Sequence, residues 1–261
     1  TDRAAIMFTS GTTGRPKGVE ITQANYAFAG KVMAEAIDLG HTDRQIVVLP
    51  LFHANAQYYS FASAIWAGAS VALMHTFSAS GFLPQAARNG ATCASLFAAP
   101  MRMILARGGP VEGLSLRHCW FAQNLADDQY ETISEWFGVR PRQLYGMTET
   151  IPAVLTDQGA DTRPDSMGFV PASCSVDLHD ADGNTVETGV VGEVAARRWI
   201  SGANGDAVRG VAVLNGQNRI LAETDAAGKA LQGELKAFCD AHGIMFCGPN
   251  CVGYVNLHHK V

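Results

Sequence analysis

The residue run TSGTTGRPKG at positions 9–18 has the composition of a loop that binds phosphate groups. It follows an apolar stretch and combines three glycines, four hydroxyl side chains and a lysine. Glycine lets backbone N–H groups turn toward an anion, hydroxyls donate hydrogen bonds, and lysine supplies positive charge. The spacing differs from the G-x-x-x-x-G-K-[ST] phosphate loop, and a glycine-rich turn without a ligand is the alternative interpretation. The candidate phosphate-binding residues are Thr9, Ser10, Gly11, Thr12, Thr13, Gly14 and Lys17.

A second candidate site lies at residues 145–149, where the run YGMTE follows a predicted strand. The adjacent hydroxyl and carboxylate of Thr148 and Glu149 suit a hard cation that is coordinated by oxygen atoms. Taken alone, this pair is more typical of a helix cap or a solvated turn. His53, in the run PLFH at residues 50–53, is by itself more typical of a packed histidine. The candidate cation ligand is therefore Glu149, and its significance depends on the phosphate loop.

The elements around these motifs alternate between strands and helices. Apolar runs predict strands at residues 5–9, 18–21, 46–49, 71–74, 92–96, 116–121 and 139–144. Thr22 is placed to cap a helix through about Leu39, and further helices are predicted at residues 99–107 and 127–137. An apolar run before residue 71 predicts a buried helix that leads into a buried strand. This alternation implies an α/β fold with a mostly parallel sheet covered by helices.

The pattern of predicted elements changes after Pro152. Short strands separated by turn residues follow, and the run DADGN at residues 180–184 predicts a hairpin loop. Beyond residue 206, a strand at 210–214, a helix that Gly243 ends, and short strands at 244–247 and 254–256 predict a small Rossmann-like βα fragment. A short β-rich segment therefore separates two α/β regions.

Composition excludes several function classes. Charged residues make up 16% of the chain and the net charge is -5, which gives no basic surface for a nucleic acid. Residues 45–87 lack Asp, Glu, Lys and Arg, but small polar residues interrupt this stretch, so no membrane span is predicted. The six cysteines form no C-x-x-C pair, which indicates reduced thiols in a cytoplasmic protein. Cys247 and Cys251 are more typical of buried small residues than of metal ligands.

Together the two motifs resemble those of the adenylate-forming (AMP-dependent) acyl-CoA synthetase superfamily, over residues 1–197. The narrower likeness is to the crotonobetaine/carnitine–CoA ligase type, through residues 28–30, 52–57 and 145–151. The resemblance implies that Lys17, Thr148 and Glu149 are catalytic, with Thr148 on the α-phosphate and Glu149 on Mg²⁺. It places His53 beside the acyl pocket. It implies nucleotide binding by the phosphate-loop residues and by Gln123, Asn124, Tyr145, Gly146 and Thr148.

The function that this resemblance implies is an ATP-dependent acyl-CoA ligase. A small-molecule carboxylate is adenylated with release of pyrophosphate and then joined to CoA, with ATP, Mg²⁺ and CoA as cofactors or substrates. The family's long segment before the phosphate loop, and its later domain with a catalytic lysine, are not recognisable. We therefore expect an incomplete ligase for which a partner chain or domain supplies that lysine. The alternative is a non-catalytic nucleotide- or CoA-binding module, or a relic fusion that needs a partner.

The last part of the chain resembles a different family. Residues 207–261, through the run GPNCVG at 248–253 and the helix before it, are similar to the CoA-binding domain of NDP-forming acyl-CoA synthetases. A tight glycine and proline turn between two strands is the alternative interpretation of that run. The predicted organisation is a partial adenylation domain at 1–197, a linker at 198–206 and a CoA-binding fragment at 207–261.

Overall fold

The structure is a computed structural model that describes residues 2–9, 17–159, 162, 164, 166–171, 174–180, 182–201, 207–214, 245–247 and 254–255. The strands are β1 Arg3–Thr9, β2 Lys17–Thr22, β3 Arg44–Val47, β4 Ser70–Leu73, β5 Cys93–Ser95, β6 His118–Phe121, β7 Arg142–Gly146, β8 Ala153–Thr156, β9 Cys174–His179, β10 Glu193–Ser201, β11 Ala207–Leu214, β12 Met245–Cys247 and β13 Tyr254–Val255. The helices are α1 Gln23–Glu35, α2 Ser63–Ala67, α3 Phe82–Arg88, α4 Ala98–Arg107 and α5 Asp127–Phe137, and a π-helix at Asn55–Ala62 runs directly into α2.

The chain divides into two compact units. The first consists of Thr1–Asn25, Met147–Thr150 and Ala172–Val261, and the second of Tyr26–Gly146 and Ile151–Pro171. The second unit holds a six-stranded sheet in the order β4-β3-β5-β6-β7-β8. Its first five strands are parallel and β8 is antiparallel to β7. The predicted α/β class with a mostly parallel sheet is therefore confirmed.

One face of this sheet builds the hydrophobic core with three helices. Ile46 of β3, Ala94 of β5 and Cys119 of β6 are paired across the strands, so their side chains lie on the same face. They join one buried cluster with residues of α3, α4 and α5, namely Phe82, Leu83, Ala86, Met101, Ile104, Tyr130, Ile133 and Phe137. Alternation of apolar side chains along the strands thus fixes which face the helices cover.

The opposite face of the sheet is buried but polar. Gln45, Ser95, His118 and Trp120 are each at most 5% exposed. The π-helix packs against β3 and β5 on this side, where Gln45 Nε2 donates to Tyr59 O at 3.5 Å. Among the residues that the structure describes, Ser95 Oγ, His118 Nε2 and Trp120 Nε1 have no hydrogen-bond partner.

Helix α1 has well-formed signals at both ends. Thr22 Oγ1 accepts from the backbone N–H of Asn25 at 3.1 Å, and Asn25 Oδ1 accepts from the Thr22 backbone at 2.9 Å. This reciprocal cap confirms the predicted role of Thr22. The helix ends earlier than the predicted limit near Leu39. Asp38 adopts a left-handed φ of 49°, and the N–H of Leu39 donates to Ala34 O at 2.9 Å, which is a Schellman ending.

The first unit contains the β1–β2 hairpin and a five-stranded sheet in the order β13-β12-β11-β10-β9. The hairpin loop predicted at residues 180–184 is confirmed, because Asp180 N donates to Asn184 O at 2.9 Å. Strand β10 pairs with β11 as far as Ser201, so residues 198–201 belong to a strand where a linker was predicted. Strands β11 and β12 pair in parallel, while the predicted helix between them and residues 248–253 lie outside the described residues.

The region around α2 and β4 differs from its prediction. The π-helix is largely buried, but Ile65 of α2 is 79% exposed and Trp66 is 51% exposed. Strand β4 was predicted to be buried, yet it lies at one edge of the sheet and its Leu73 is 54% exposed. Helix α3 was not predicted. Within the described ranges, no helix is both long enough and apolar enough to cross a membrane.

Candidate functional site

The predicted phosphate loop connects the two strands of the β1–β2 hairpin. Thr9 ends β1, Lys17 begins β2, and their Cα atoms are partners in the antiparallel ladder. The ladder therefore holds both ends of the loop at neighbouring backbone positions. Gly18 packs closely, since a Cβ atom there would lie 2.8 Å from Ile6 Cγ2. The predicted binding residues Ser10, Gly11, Thr12, Thr13 and Gly14 lie outside the described residues.

The turn after β7 presents the second motif. The hydroxyl of Thr150 accepts from Met147 N and donates to Met147 O, both at 3.0 Å, which closes the turn around Thr148 and Glu149. Glu149 is 9% exposed. The described residues contain no cluster of three metal-ligating side chains. A single carboxylate with a neighbouring hydroxyl nevertheless fits Mg²⁺, which often binds through one or two carboxylates plus substrate phosphates.

Three predicted binding segments lie at the same edge of the six-stranded sheet. His53 follows β3, Gln123 and Asn124 follow β6, and Tyr145 and Gly146 end β7. These strands are parallel, so their carboxyl ends share one edge. Strand β4 lies on one side of β3 and β5 on the other, so the strand order reverses between β3 and β5. Parallel sheets of this kind bind ligands outside the carboxyl ends of the strands, next to such a reversal. The topology therefore places these segments at one edge of the sheet.

Hydrogen bonds hold the segment after β6 in place. Arg102 Nη2 of α4 donates to Asn124 O at 2.7 Å, and Gln143 Nε2 of β7 donates to Asn124 Oδ1 at 3.3 Å. Gln143 Nε2 also donates to Pro164 O at 2.6 Å. Sequence reasoning missed Arg102 and Gln143. The available signal was a glutamine inside a predicted strand, two residues before Tyr145.

The backbone of Gln123 is strained. Its φ of 70° is left-handed, a region that costs a non-glycine residue about 1–2 kcal/mol. Gln123→Gly is therefore expected to raise the free energy of unfolding by about 0.5–1 kcal/mol, after allowing for the entropy of glycine. Urea denaturation measures the change. Gln85→Gly, in the middle of α3, is the control and is expected to destabilise by about 1 kcal/mol. A loss of stability in Gln123→Gly would contradict the strain.

The loop that carries His53 is tied to α1. Tyr26 Oη donates to Gln57 Oε1, and Gln57 Nε2 donates to Leu51 O. Burial raises the pKa of Tyr26, which keeps its hydroxyl protonated as a donor. His53 is exposed, with its ring centroid 4.5 Å from that of Phe52. Exposure argues against the packed-histidine alternative and leaves His53 accessible to a ligand.

Known proteins resemble this chain in sequence and in fold. The sequence matches the AMP-binding enzyme family over residues 1–203. It is 35% identical over 199 residues to a crotonobetaine/carnitine–CoA ligase of Salmonella heidelberg, which covers 75% of this chain and 38% of the relative. The chain thus spans well under half the length of that relative.

Solved structures agree with the sequence match. The O-succinylbenzoate coenzyme A synthetase of Bacillus subtilis, in complex with ATP and magnesium ion, superposes with a TM-score of 0.64 at 28% identity, over 74% of this chain and 40% of that one. The same enzyme in complex with AMP gives a TM-score of 0.65 at 29% identity, over 76% and 51%. The family match covers more than three-quarters of the chain. This chain therefore belongs to the AMP-binding enzyme family.

Proposed function

We propose that this chain carries the nucleotide-binding part of an ATP-dependent acyl-CoA ligase. The observation that carries the proposal is family membership together with the ladder that pairs Thr9 with Lys17 at the ends of the phosphate loop. The chain corresponds to 38% of the length of the crotonobetaine/carnitine–CoA ligase that it matches, so the proposal concerns only this part of such an enzyme. The substrates are ATP, a small carboxylate and CoA.

The first reaction step requires charge neutralisation more than covalent help from the protein. A carboxylate oxygen of the substrate attacks the α-phosphorus of ATP, and pyrophosphate leaves with the electron pair of the broken P–O bond. Lys17 and the loop hydroxyls neutralise and orient the phosphates, and Thr148 contacts the α-phosphate. Glu149 would hold Mg²⁺, which would supply positive charge beside the phosphates. The CoA thiolate then displaces AMP from the acyl-adenylate.

The remaining site residues bind the two organic groups. Tyr145 stacks beside the adenine, and Gly146, Gln123 and Asn124 belong to the same nucleotide site. His53 lies beside the acyl group, where its exposed ring is available. Their common position at the carboxyl ends of the parallel strands supports this assignment.

Thermal unfolding of the full chain with and without MgATP tests the nucleotide site. A ligand that binds only the folded state, at about a hundredfold excess over Kd, raises stability by about 2.7 kcal/mol. We expect MgATP to raise the melting temperature of the wild type and to leave that of Lys17→Ala unchanged. Lys31→Ala is the matched control, because it also removes a lysine. The Lys31 side chain is half-exposed, and its ion pair with Glu35, at 3.9 Å, is a weak surface contact. Indifference of the wild type to MgATP would contradict the proposal.

A non-catalytic nucleotide- or CoA-binding module is the second candidate. ATP–pyrophosphate exchange separates the two, with crotonobetaine and carnitine as first carboxylates. Exchange that depends on carboxylate establishes adenylation. A melting shift without exchange, when a set of carboxylates has been tried, favours the binding module.

A further inference from the structure

Three buried polar groups lie side by side on the polar face of the six-stranded sheet. Ser95 of β5 is the direct cross-strand partner of Trp120 of β6, and His118 lies two residues before Trp120, so all three side chains are on one face. The rings of His118 and Trp120 meet edge to face, with their centroids 4.4 Å apart. Ser95, His118 and Trp120 are 3%, 5% and 1% exposed, respectively. They therefore form a compact polar cluster inside the sheet unit.

The polar atoms of this cluster are not paired with protein groups. Ser95 Oγ, His118 Nε2 and Trp120 Nε1 find no hydrogen-bond partner among the described residues, so they do not bond to one another either. The π-helix packs over β5 and helps to separate them from bulk solvent. Buried polar groups in native proteins are nearly always paired, and leaving one unpaired lowers the folding equilibrium constant about fivefold or more. Three such groups at neighbouring positions indicate a shared partner.

We propose that Ser95, His118 and Trp120 bind one buried water molecule between the sheet and the π-helix. The indole N–H of Trp120 can only donate a hydrogen bond, which suits an oxygen atom and not a metal ion. The hydroxyl of Ser95 and a neutral imidazole nitrogen of His118 can each accept a hydrogen bond. A water molecule therefore accepts from Trp120 and donates to Ser95 and His118. Buried waters with about three such bonds are regular parts of protein interiors.

Nuclear Overhauser transfer from water to the indole N–H of Trp120, in the full chain labelled with ¹⁵N, detects this molecule. We expect a signal with the sign of a long-lived contact. The Trp120 resonance is assigned by its loss in Trp120→Phe or, if that variant fails to fold, by replacing the other tryptophans one at a time. The signal is expected to persist in Ser95→Ala, because His118 and Trp120 still hold the water. Its loss there would identify the Ser95 hydroxyl as the source and overturn the proposal.

Urea denaturation shows whether the water satisfies the Ser95 hydroxyl. Ser95→Ala removes one hydrogen bond of the water, so we expect the folding equilibrium constant to fall about fivefold. Ser63→Ala is the matched control, because the Ser63 hydroxyl is fully buried and donates to Tyr59 O at 2.8 Å. The control is expected to show a loss of similar size. An unpaired Ser95 hydroxyl gives the opposite sign, since its deletion removes a desolvation cost and raises the constant.

This inference is independent of the proposed function, because both measurements are made without a nucleotide. A water signal at Trp120 that survives in Ser95→Ala, together with a loss of stability in that variant, establishes the site. Absence of the signal from the wild type overturns it. An unchanged or raised folding constant in Ser95→Ala overturns the role of Ser95 as a ligand of the water.

Discussion

Replacing Arg117 with alanine is expected to lower the free energy of unfolding by about 3 kcal/mol, toward the lower end of the range for breaking a buried ion pair. Arg117 donates from Nε and Nη2 to the two carboxylate oxygens of Asp43, at 2.8 and 2.6 Å. These bonds hold the pKa of Asp43 well below its usual range. The Asp43 residue is 7% exposed, so loss of Arg117 leaves a buried carboxylate without its cation. The lower end applies because the Arg117 side chain is 40% exposed.

The same chain offers a matched control. Arg140 makes an equivalent two-pronged contact with Glu131, at 3.0 and 2.9 Å, but both side chains are about half-exposed. Arg140→Ala is therefore expected to change stability by only about 1 kcal/mol or less. Urea denaturation of both variants, with Asp43→Ala and the double variant to complete a cycle, measures the difference. Equal losses in the two arginine variants would contradict the role assigned to burial.

Acidification is expected to destabilise the fold by about 1.4 kcal/mol per pH unit below pH 6, because of His118. Burial, with smaller contributions from Arg142 and Arg117, lowers the pKa of His118 from 6.5 to about 3. The unfolded chain therefore binds a proton that the folded chain excludes between these values. The stability that the neutral His118 contributes is fully present above pH 6.5. It is lost as the pH falls toward 3, and the total loss is on the order of 4 kcal/mol.

The effects of His118 and Asp43 on stability fall in different pH ranges. The folded-state pKa of Asp43 lies below its ordinary value of 3.8, so its contribution is lost only as the pH falls below about 3.8. Urea denaturation between pH 7 and pH 4.5 therefore reports on His118. His118→Phe, which keeps an aromatic ring against Trp120, is expected to flatten the profile, whereas the exposed-site change His75→Gln leaves it unchanged. A steep profile in His118→Phe would contradict the assignment.

Local sequence signals predicted the elements that have strong boundaries. Helix α5 occupies the predicted residues 127–137 because an apolar stripe is bounded by acidic residues in the first turn and by a left-handed Gly138 at its end. The Thr22 cap was equally local. The sheet order was not predictable in this way, because strand neighbours depend on contacts between distant residues. Only the parallel class could be predicted, from the alternation of strands and helices.

For the candidate site, too, local features were predictable from the sequence and long-range contacts were not. The candidate ligand-binding runs at residues 9–18 and 145–149 stand out in the sequence because their glycine, hydroxyl, lysine and carboxylate residues are types that bind phosphate and metal ions. The residues that hold the segment around Asn124 were not recognisable, since Arg102 and Gln143 act through hydrogen bonds to atoms about twenty residues away in the sequence. The π-helix was also missed, because an apolar run without charges carries no signal for its wider winding. The catalytic roles themselves stay predictions until the variants are measured.

The edge position of β4 has a consequence for the behaviour of this protein at high concentration. Strand β4 has the sequence SVAL and is uncharged, and among the described strands it has a sheet neighbour on one side only. Uncharged apolar edges of this kind template pairing between molecules, and charged residues or proline are the usual protection against it. The exposed Leu73, together with Ile65 and Trp66 of α2, adds apolar surface beside the edge. A single lysine in place of Leu73 would give this edge the gatekeeper that it lacks and would favour colloidal stability over sheet extension.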